Sequence, residues 1–173
     1  MVKEAIIYKK QTSLAKTILI AGLIAGTIDA IFAILATIIF GHANPITVFW
    51  YIAKGVFGSA ASSQVLLTAD ASTQAMYAIA GLLLHYFIAY CWVTLFVLAY
   101  QKLSFLRWNK IITAFIFGIF AWLVMNYGVL PVVFKMWPTY TFRMILGVLY
   151  LVIAIGLISA IFGNRYYRDK VGV

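Results

Sequence analysis

The chain has 173 residues, of which 65% are hydrophobic and only 10% are charged, and its formal net charge is +9. Soluble domains hold about 45–50% apolar and about 25% charged residues, so this composition excludes an ordinary soluble domain. The basic residues lie beside apolar segments, as in membrane proteins, which argues against nucleic acid as a partner. The length allows one domain over residues 1–173, in a lipid bilayer.

The first apolar segment, residues 17–40, is long enough to cross a membrane. It holds no Pro, Lys or Arg, and a helix of this length spans about 36 Å. Gly22, Gly26 and Asp29 share one narrow face, and small residues on such a face favour contact with another helix. A carboxylate inside a membrane faces protein or water rather than lipid. We therefore expect Asp29 to point into a helical bundle.

Residues 41–73 form the longest connection and predict a short helix of their own. Asn44 and Pro45 are typical of a helix start, and residues 45–58 are apolar and rich in aromatic side chains. This segment is too short to span a membrane, so we predict an interfacial or re-entrant helix. It either covers the mouth of the bundle as a lid or is only anchored in the interface.

Three further apolar segments complete the predicted fold, an all-α membrane protein with four transmembrane helices in an up-down bundle. These segments cover residues 75–100, 111–134 and 144–162. We expect Ser72 or Thr73 to cap the second span, and Pro131 to kink the outer end of the third. Gly163 and Asn164 are expected to end the fourth span as its C-cap.

The distribution of basic residues predicts the orientation of the bundle. Ten of the thirteen Lys and Arg residues lie in the two terminal segments and in the 101–110 connection. The other three are Lys54, Lys135 and Arg143. Because basic residues accumulate on the cytoplasmic side, both termini of this multi-pass protein are predicted to be cytoplasmic.

Polar side chains on three spans lie between the midplane and the predicted outer surface. Asp29 and His85 each lie on a small-residue face, so we predict that they approach within hydrogen-bonding reach, directly or through one water. Asn126 either joins this site or serves only as an interhelical hydrogen bond. The predicted ligand-binding residues are Asp29, Tyr86, His85, Trp122, Asn126, Tyr127 and Arg143.

The sequence lacks the motifs of common enzymes. It has no HExxH, nucleophile elbow, Walker loop or dinucleotide fingerprint, and no catalytic residue is predicted. His42, His85 and Asp29 would make an incomplete zinc site at best. A bis-histidine haem would need His42 and His85 at the same depth, which their positions do not favour. We therefore predict neither a metal nor a cofactor.

Four motifs carry a resemblance to a known family. They are GTID (26–29), NP followed by YIAKGVFG (44–58), GLLLHYFIA (81–89) and WLVMNYGVLP (122–131). Over nearly the whole chain they resemble an uncharacterised family of bacterial four-helix inner-membrane proteins. The resemblance implies the four-span architecture, a bacterial inner membrane, and one site that includes Asp29, His85 and Asn126. It implies no activity.

Three classes of function remain open. The first is binding or transport of a small molecule or lipid through an outward-facing cavity, with Asp29 and His85 as proton-responsive groups. The second is a non-catalytic subunit whose small-residue surfaces dock a larger membrane partner or another copy of the chain. The third is an enzyme that uses Asp29 and His85 on a lipid-soluble substrate. A small-residue surface without a partner inside the chain would favour the second.

Overall fold

The computed structural model describes residues 13–138 and 142–171, and its regular elements there are all helices. Four of them are long and apolar enough to cross a membrane, which indicates a multi-pass membrane protein and confirms the predicted helical bundle. In chain order the helices are α1 (Leu14–Gly41), α2 (Ile46–Phe57), α3 (Ser63–Leu66), α4 (Ala71–Lys102), α5 (Lys110–Phe134) and α6, which begins with Phe142–Leu151 and ends with Ile158–Val171.

The predicted short helix is present as α2. The side-chain oxygen of Asn44 accepts the backbone N–H of Ile46 at 3.0 Å, which satisfies a donor in the first turn. The helix ends at Gly58, whose φ of 61° is a conformation that favours glycine. The Asn-Pro start therefore acts as the sequence indicates.

The start of α4 differs from the prediction. The helix begins at Ala71, four residues before the expected start, and its N-cap is Asp70 rather than Ser72 or Thr73. The Asp70 carboxylate accepts the backbone N–H of Thr73 at 2.9 Å and the Thr73 hydroxyl at 2.7 Å. Ser72 also donates its hydroxyl to Asp70. Ser72 and Thr73, the expected caps, therefore donate hydrogen bonds to Asp70, which is the actual N-cap.

Both α5 and α6 contain a π-helical segment in which the backbone bonds skip one residue more than in an α-helix. These segments are Val124–Val129 in α5 and Val152–Leu157 in α6. Pro131 lies two residues after the end of the first of them, within the last turn of α5. Wide turns of this kind interrupt regular helices and occur often at functional sites.

The predicted C-cap of the fourth span was wrong. Instead of stopping at Gly163 and Asn164, α6 continues to Val171. Gly163 lies against the rings of Phe96 and Tyr100, and the side-chain amide of Asn164 donates to the Tyr100 hydroxyl at 2.8 Å. The glycine therefore allows close packing on α4, and this packing outweighs its tendency to end a helix.

The hydrophobic core fills the half of the bundle in which the described chain begins and ends. Phe96 and Tyr100 of α4 are its largest fully buried side chains, with exposures of 0% and 1%. Small residues from the other long helices surround them, namely Ala21, Ala25, Ala114, Ala121 and Ala160. Because these side chains are small, the backbones approach closely in this half.

The outer faces of the long helices carry large apolar side chains. On α4, Ile79, Leu83 and Phe87 are 58%, 66% and 65% exposed, and their spacing places them in one row along the helix. An apolar surface of this extent is not stable in water. These faces are suited to contact with lipid.

Candidate functional site

The half of the bundle next to α2 contains a cavity of about 870 Å³. Its wall is mostly apolar, and a volume of this size is within the range of small-molecule sites. Ala89 and Ile155 lie at the end nearest the core. Apart from Tyr and Trp residues, the polar side chains in the wall are Asp29, Thr37, Thr47, Ser63, His85 and Asn126.

Asp29 and His85 both line this cavity, as predicted. Oδ2 of Asp29 lies 4.0 Å from Nδ1 of His85. That separation exceeds a direct hydrogen bond, but it is short enough for one water, or a small side-chain rotation, to connect the two groups. The His85 side chain is 8% exposed and the Asp29 side chain 26%. Since Asp29 is in the middle of a spanning helix, its exposed part faces the cavity rather than bulk water.

The backbone of α1 determines which nitrogen of His85 faces Asp29. Nε2 lies 2.8 Å from the carbonyl oxygen of Gly26. A carbonyl can only accept, so Nε2 carries a hydrogen and donates it. Nδ1 is then either an unprotonated acceptor or the second N–H of a charged imidazolium. The Asp29–His85 pair can therefore hold one extra proton, on the carboxyl or on Nδ1.

Asn126 and Trp122 also line the cavity. The side-chain amide of Asn126 donates to the carbonyl oxygen of Trp122 at 2.9 Å, within the same helix. Asn126 was predicted either to join the site or to form a hydrogen bond between helices. The bond observed here lies within one helix, so it is not that interhelical bond. The two residues are four positions apart, so they lie on the same face of α5.

The other predicted site residues lie elsewhere. Tyr86 packs its ring against Gly26, and its hydroxyl is 2.9 Å from that of Thr27. Tyr127 contacts the Trp122 ring edge-on, with centroids 5.9 Å apart. Neither residue belongs to the cavity wall. Arg143 lies in α6, but its side chain is outside the described residues.

Several aromatic side chains in the wall were not predicted. Trp92 follows His85 by seven residues, two helical turns, so its spacing could have indicated a shared face. Tyr51 stacks on Phe134 with centroids 4.7 Å apart, and its burial raises the pKa of its hydroxyl. Tyr150 stacks in the same way on Phe32 at 4.8 Å. Trp137 lies in a connection, where no periodicity indicates its direction.

The short helix α2 forms one side of the cavity. Its wall residues are Thr47, Val48, Tyr51 and Ile52. The helix is held on α4 by Trp50, which is 2% exposed and donates its indole N–H to the carbonyl oxygen of Gln74 at 3.1 Å. These contacts place α2 beside the cavity, packed on α4.

Metal ligands are sparse in this region. Within residues 13–138 and 142–171, no three His, Cys, Asp or Glu side chains come together as a metal site would require. His42 ends α1 in the left-handed conformation, with φ 47°, and is exposed.

Comparison of the chain with models of protein families, with curated proteins and with solved structures found no match.

Proposed function

We propose that this protein binds a small molecule or a lipid in the cavity beside Asp29. The observation that carries this proposal is a cavity of about 870 Å³ whose wall contains a carboxyl and an imidazole 4.0 Å apart. A few fixed polar groups in an apolar wall are typical of sites that orient a ligand. A carboxyl in the middle of a spanning helix is costly to insert, and such groups usually mark a binding or transport path.

The position of the cavity is consistent with transport as well as binding. With both termini in the cytoplasm, the cavity belongs to the outer half of the bundle, so a ligand would enter from outside the cell or from the outer leaflet. The four sequence motifs further support a place among bacterial four-helix inner-membrane proteins. In this proposal the protein is a multi-pass protein of the bacterial inner membrane.

The small-residue surfaces favour a binding role over that of a docking subunit. Gly22 lies against the ring of Tyr90, and Gly26 against the ring of Tyr86. Gly118 of α5 lies against Val152 of α6, and Gly156 of α6 against Ala114. These surfaces are therefore used inside the chain. A partner would have to dock on the remaining apolar faces, which lipid covers equally well.

A cavity-filling variant tests the proposal. The protein, purified in lipid nanodiscs from a bacterial host, is analysed by native mass spectrometry for molecules that stay bound. We expect Ala33→Phe, which places a ring in the cavity, to lose them. Leu35→Phe is the control, because Leu35 is on the same helix but is 44% exposed. Equal retention of every bound molecule by both variants would contradict binding in this cavity.

A second variant separates a binding role of Asp29 from a structural one. Asp29→Asn should give a folded, inserted protein that no longer retains its ligand. A lower thermal stability with unchanged retention would instead assign Asp29 to helix packing. Chemical change of a retained molecule during incubation would favour the enzymatic alternative.

A further inference from the structure

We infer that the ligand is a hydrophobic organic cation, and that its binding beside Asp29 releases a proton from the Asp29–His85 pair. This inference rests on the proposed function, since it names the chemical class that the same cavity takes.

The charges in the wall favour a cation. Among the described side chains that line the cavity, Asp29 is the only carboxyl, and none is a Lys or Arg. The carboxylate of Asp29 would therefore repel a bound anion, and none of these side chains carries a permanent positive charge that would offset the repulsion. A cation would instead meet the carboxylate as its counter-ion, in surroundings where the attraction is stronger than in water.

The aromatic side chains of the wall favour the same class of ligand. Five lining residues have a ring with a π face, and they come from four helices and one connection: Tyr51, Trp92, Trp122, Trp137 and Tyr150. The faces of such rings attract cations, most strongly in the case of Trp. Met125, Met136 and Met144 add flexible apolar surface that adapts to ligands of different shape. A cation with an apolar body would use both kinds of contact.

The geometry of His85 links the cation to a proton. Because Nε2 donates to the Gly26 carbonyl, only Nδ1 can exchange a proton with Asp29. When the pair holds its extra proton, it is neutral overall and offers no net charge to a cation. When that proton leaves for water through the cavity, Asp29 is an anion and His85 is neutral. One positive charge thus leaves the site as another enters, and the charges balance.

The remaining titratable side chains in the wall are Tyr51 of α2 and Tyr150 of α6. Burial raises the pKa of Tyr51, which keeps its hydroxyl neutral at neutral pH. No other acidic or basic side chain belongs to the described part of the wall, so the exchanged proton is assigned to the Asp29–His85 pair.

Two ions of the same shape and opposite charge provide the test. Tetraphenylphosphonium is a permanent hydrophobic cation, and tetraphenylborate is an anion of nearly the same size. Binding of each is measured by isothermal titration calorimetry on the protein in nanodiscs, with empty nanodiscs as the reference. We expect saturable binding of the cation but not of the anion, and a loss of about tenfold or more in cation affinity for Asp29→Asn.

Proton release is measured by repeating the titration in phosphate and in MOPS, whose ionisation enthalpies differ. At a pH where the pair holds its extra proton, we expect about one proton released per bound cation. The released fraction should fall towards zero as the pH rises, because the pair is then already deprotonated. Cation binding without any pH-dependent release would overturn the exchange.

If Asp29→Asn does not fold, Asn126→Lys provides the alternative variant. It places a positive charge in the same wall, so cation binding should be lost and anion binding gained. Saturable binding of tetraphenylborate by the unaltered protein, blocked by Ala33→Phe, would overturn the cation inference but support a binding cavity. The proposed function itself would be overturned if the native protein retained no molecule and bound neither ion.

Discussion

His85 connects the backbone of α1 to the carboxyl group of Asp29. Its Nε2 donates to α1 at the Gly26 carbonyl, and its Nδ1 faces Asp29 one turn further along. The ring is therefore oriented by backbone that cannot titrate. A histidine held in this way presents one defined nitrogen to the cavity.

Replacing His85 should affect the site much more than the fold. His85→Leu removes one interhelical hydrogen bond, and such bonds are worth on average about 0.6 kcal/mol, with a maximum near 1.7 kcal/mol. Tyr90→Phe is the matched control, since the Tyr90 hydroxyl donates to the Leu19 carbonyl at 3.2 Å, also from α4 to α1. We expect similar small losses of unfolding free energy in both variants, and a change in the pH range of proton release only in His85→Leu, because Asp29 alone then holds the exchanged proton. A loss of stability of several kcal/mol in His85→Leu alone would indicate a structural residue.

Asp70 should make the stability of α4 dependent on pH. Hydrogen bonds from the Ser72 hydroxyl, and from the backbone N–H and hydroxyl of Thr73, hold the pKa of Asp70 below its usual range. A carboxyl with a lowered pKa stabilises the fold above the unfolded value of about 4, and this stabilisation is lost as the pH falls through the lowered value.

The comparison of the native protein with Asp70→Asn isolates this effect. The native protein should have the higher melting temperature at pH 7, and the difference should shrink as the pH is lowered from about 4. Circular dichroism melts at a series of pH values provide the measurement. A difference that stays constant down to the lowest pH would show that the charge of Asp70 does not contribute.

Among the elements, α2 depends on one very close contact. Gly81 of α4 lies against the carbonyl group of Phe49, and a side chain at Gly81 would meet that backbone directly. Backbone cannot rotate away as a side chain can, so α2 and α4 would have to separate.

Gly81→Ala should therefore weaken the packing of α2, at a cost of about 1–3 kcal/mol, typical of overpacking. Gly128→Ala is the control, because its new methyl group would meet only the Val124 side chain at the ordinary distance of 3.8 Å. We expect faster hydrogen exchange over residues 46–57 in Gly81→Ala only. Unchanged exchange in that variant would mean that α2 is held mainly by other contacts, such as the Trp50 indole.

The helices themselves could be predicted from length and hydropathy, because a long apolar segment in a membrane has few alternatives to a helix. Their ends were harder to predict. Gly163 is a good helix stop in isolation, but its contact with Phe96 and Tyr100 is a tertiary feature that no local pattern contains. The π-helical segments are equally hidden, since they depend on how α5 and α6 pack.

The parts of the site that could be predicted are those in which the spacing of residues along a helix determines where a side chain points. Asp29 and His85 were expected to meet because each shares a face with small residues that allow close approach. Tyr86 was expected beside them, but adjacent residues on a helix point about 100° apart. It therefore lies against Gly26, outside the cavity wall. The direction of Tyr51 and Trp137 depends on the path of the connections.

At the scale of the whole molecule, the orientation in the membrane is the main open prediction. With both termini in the cytoplasm, a cysteine at Ser62 should react with an impermeant reagent from outside, and one at Ser104 should not. The native Cys91 is exposed and has to be replaced first by Ala. Labelling at Ser104 but not at Ser62 would reverse the orientation and place the cavity on the cytoplasmic side.

The uneven packing of the bundle also has an electrical consequence. The cavity reaches past Asp29 to Ala89 and Ile155, where the closely packed side chains of the core begin. In an energised membrane, each elementary charge gains about 2.3 kcal/mol per 100 mV over the full voltage drop. Where water fills the cavity, that drop falls mainly over the packed half. A charge that reaches Asp29 from the α2 end then crosses only a small part of the voltage drop. The membrane potential would therefore have little effect on binding at Asp29 and a large effect on any movement of charge across the packed half.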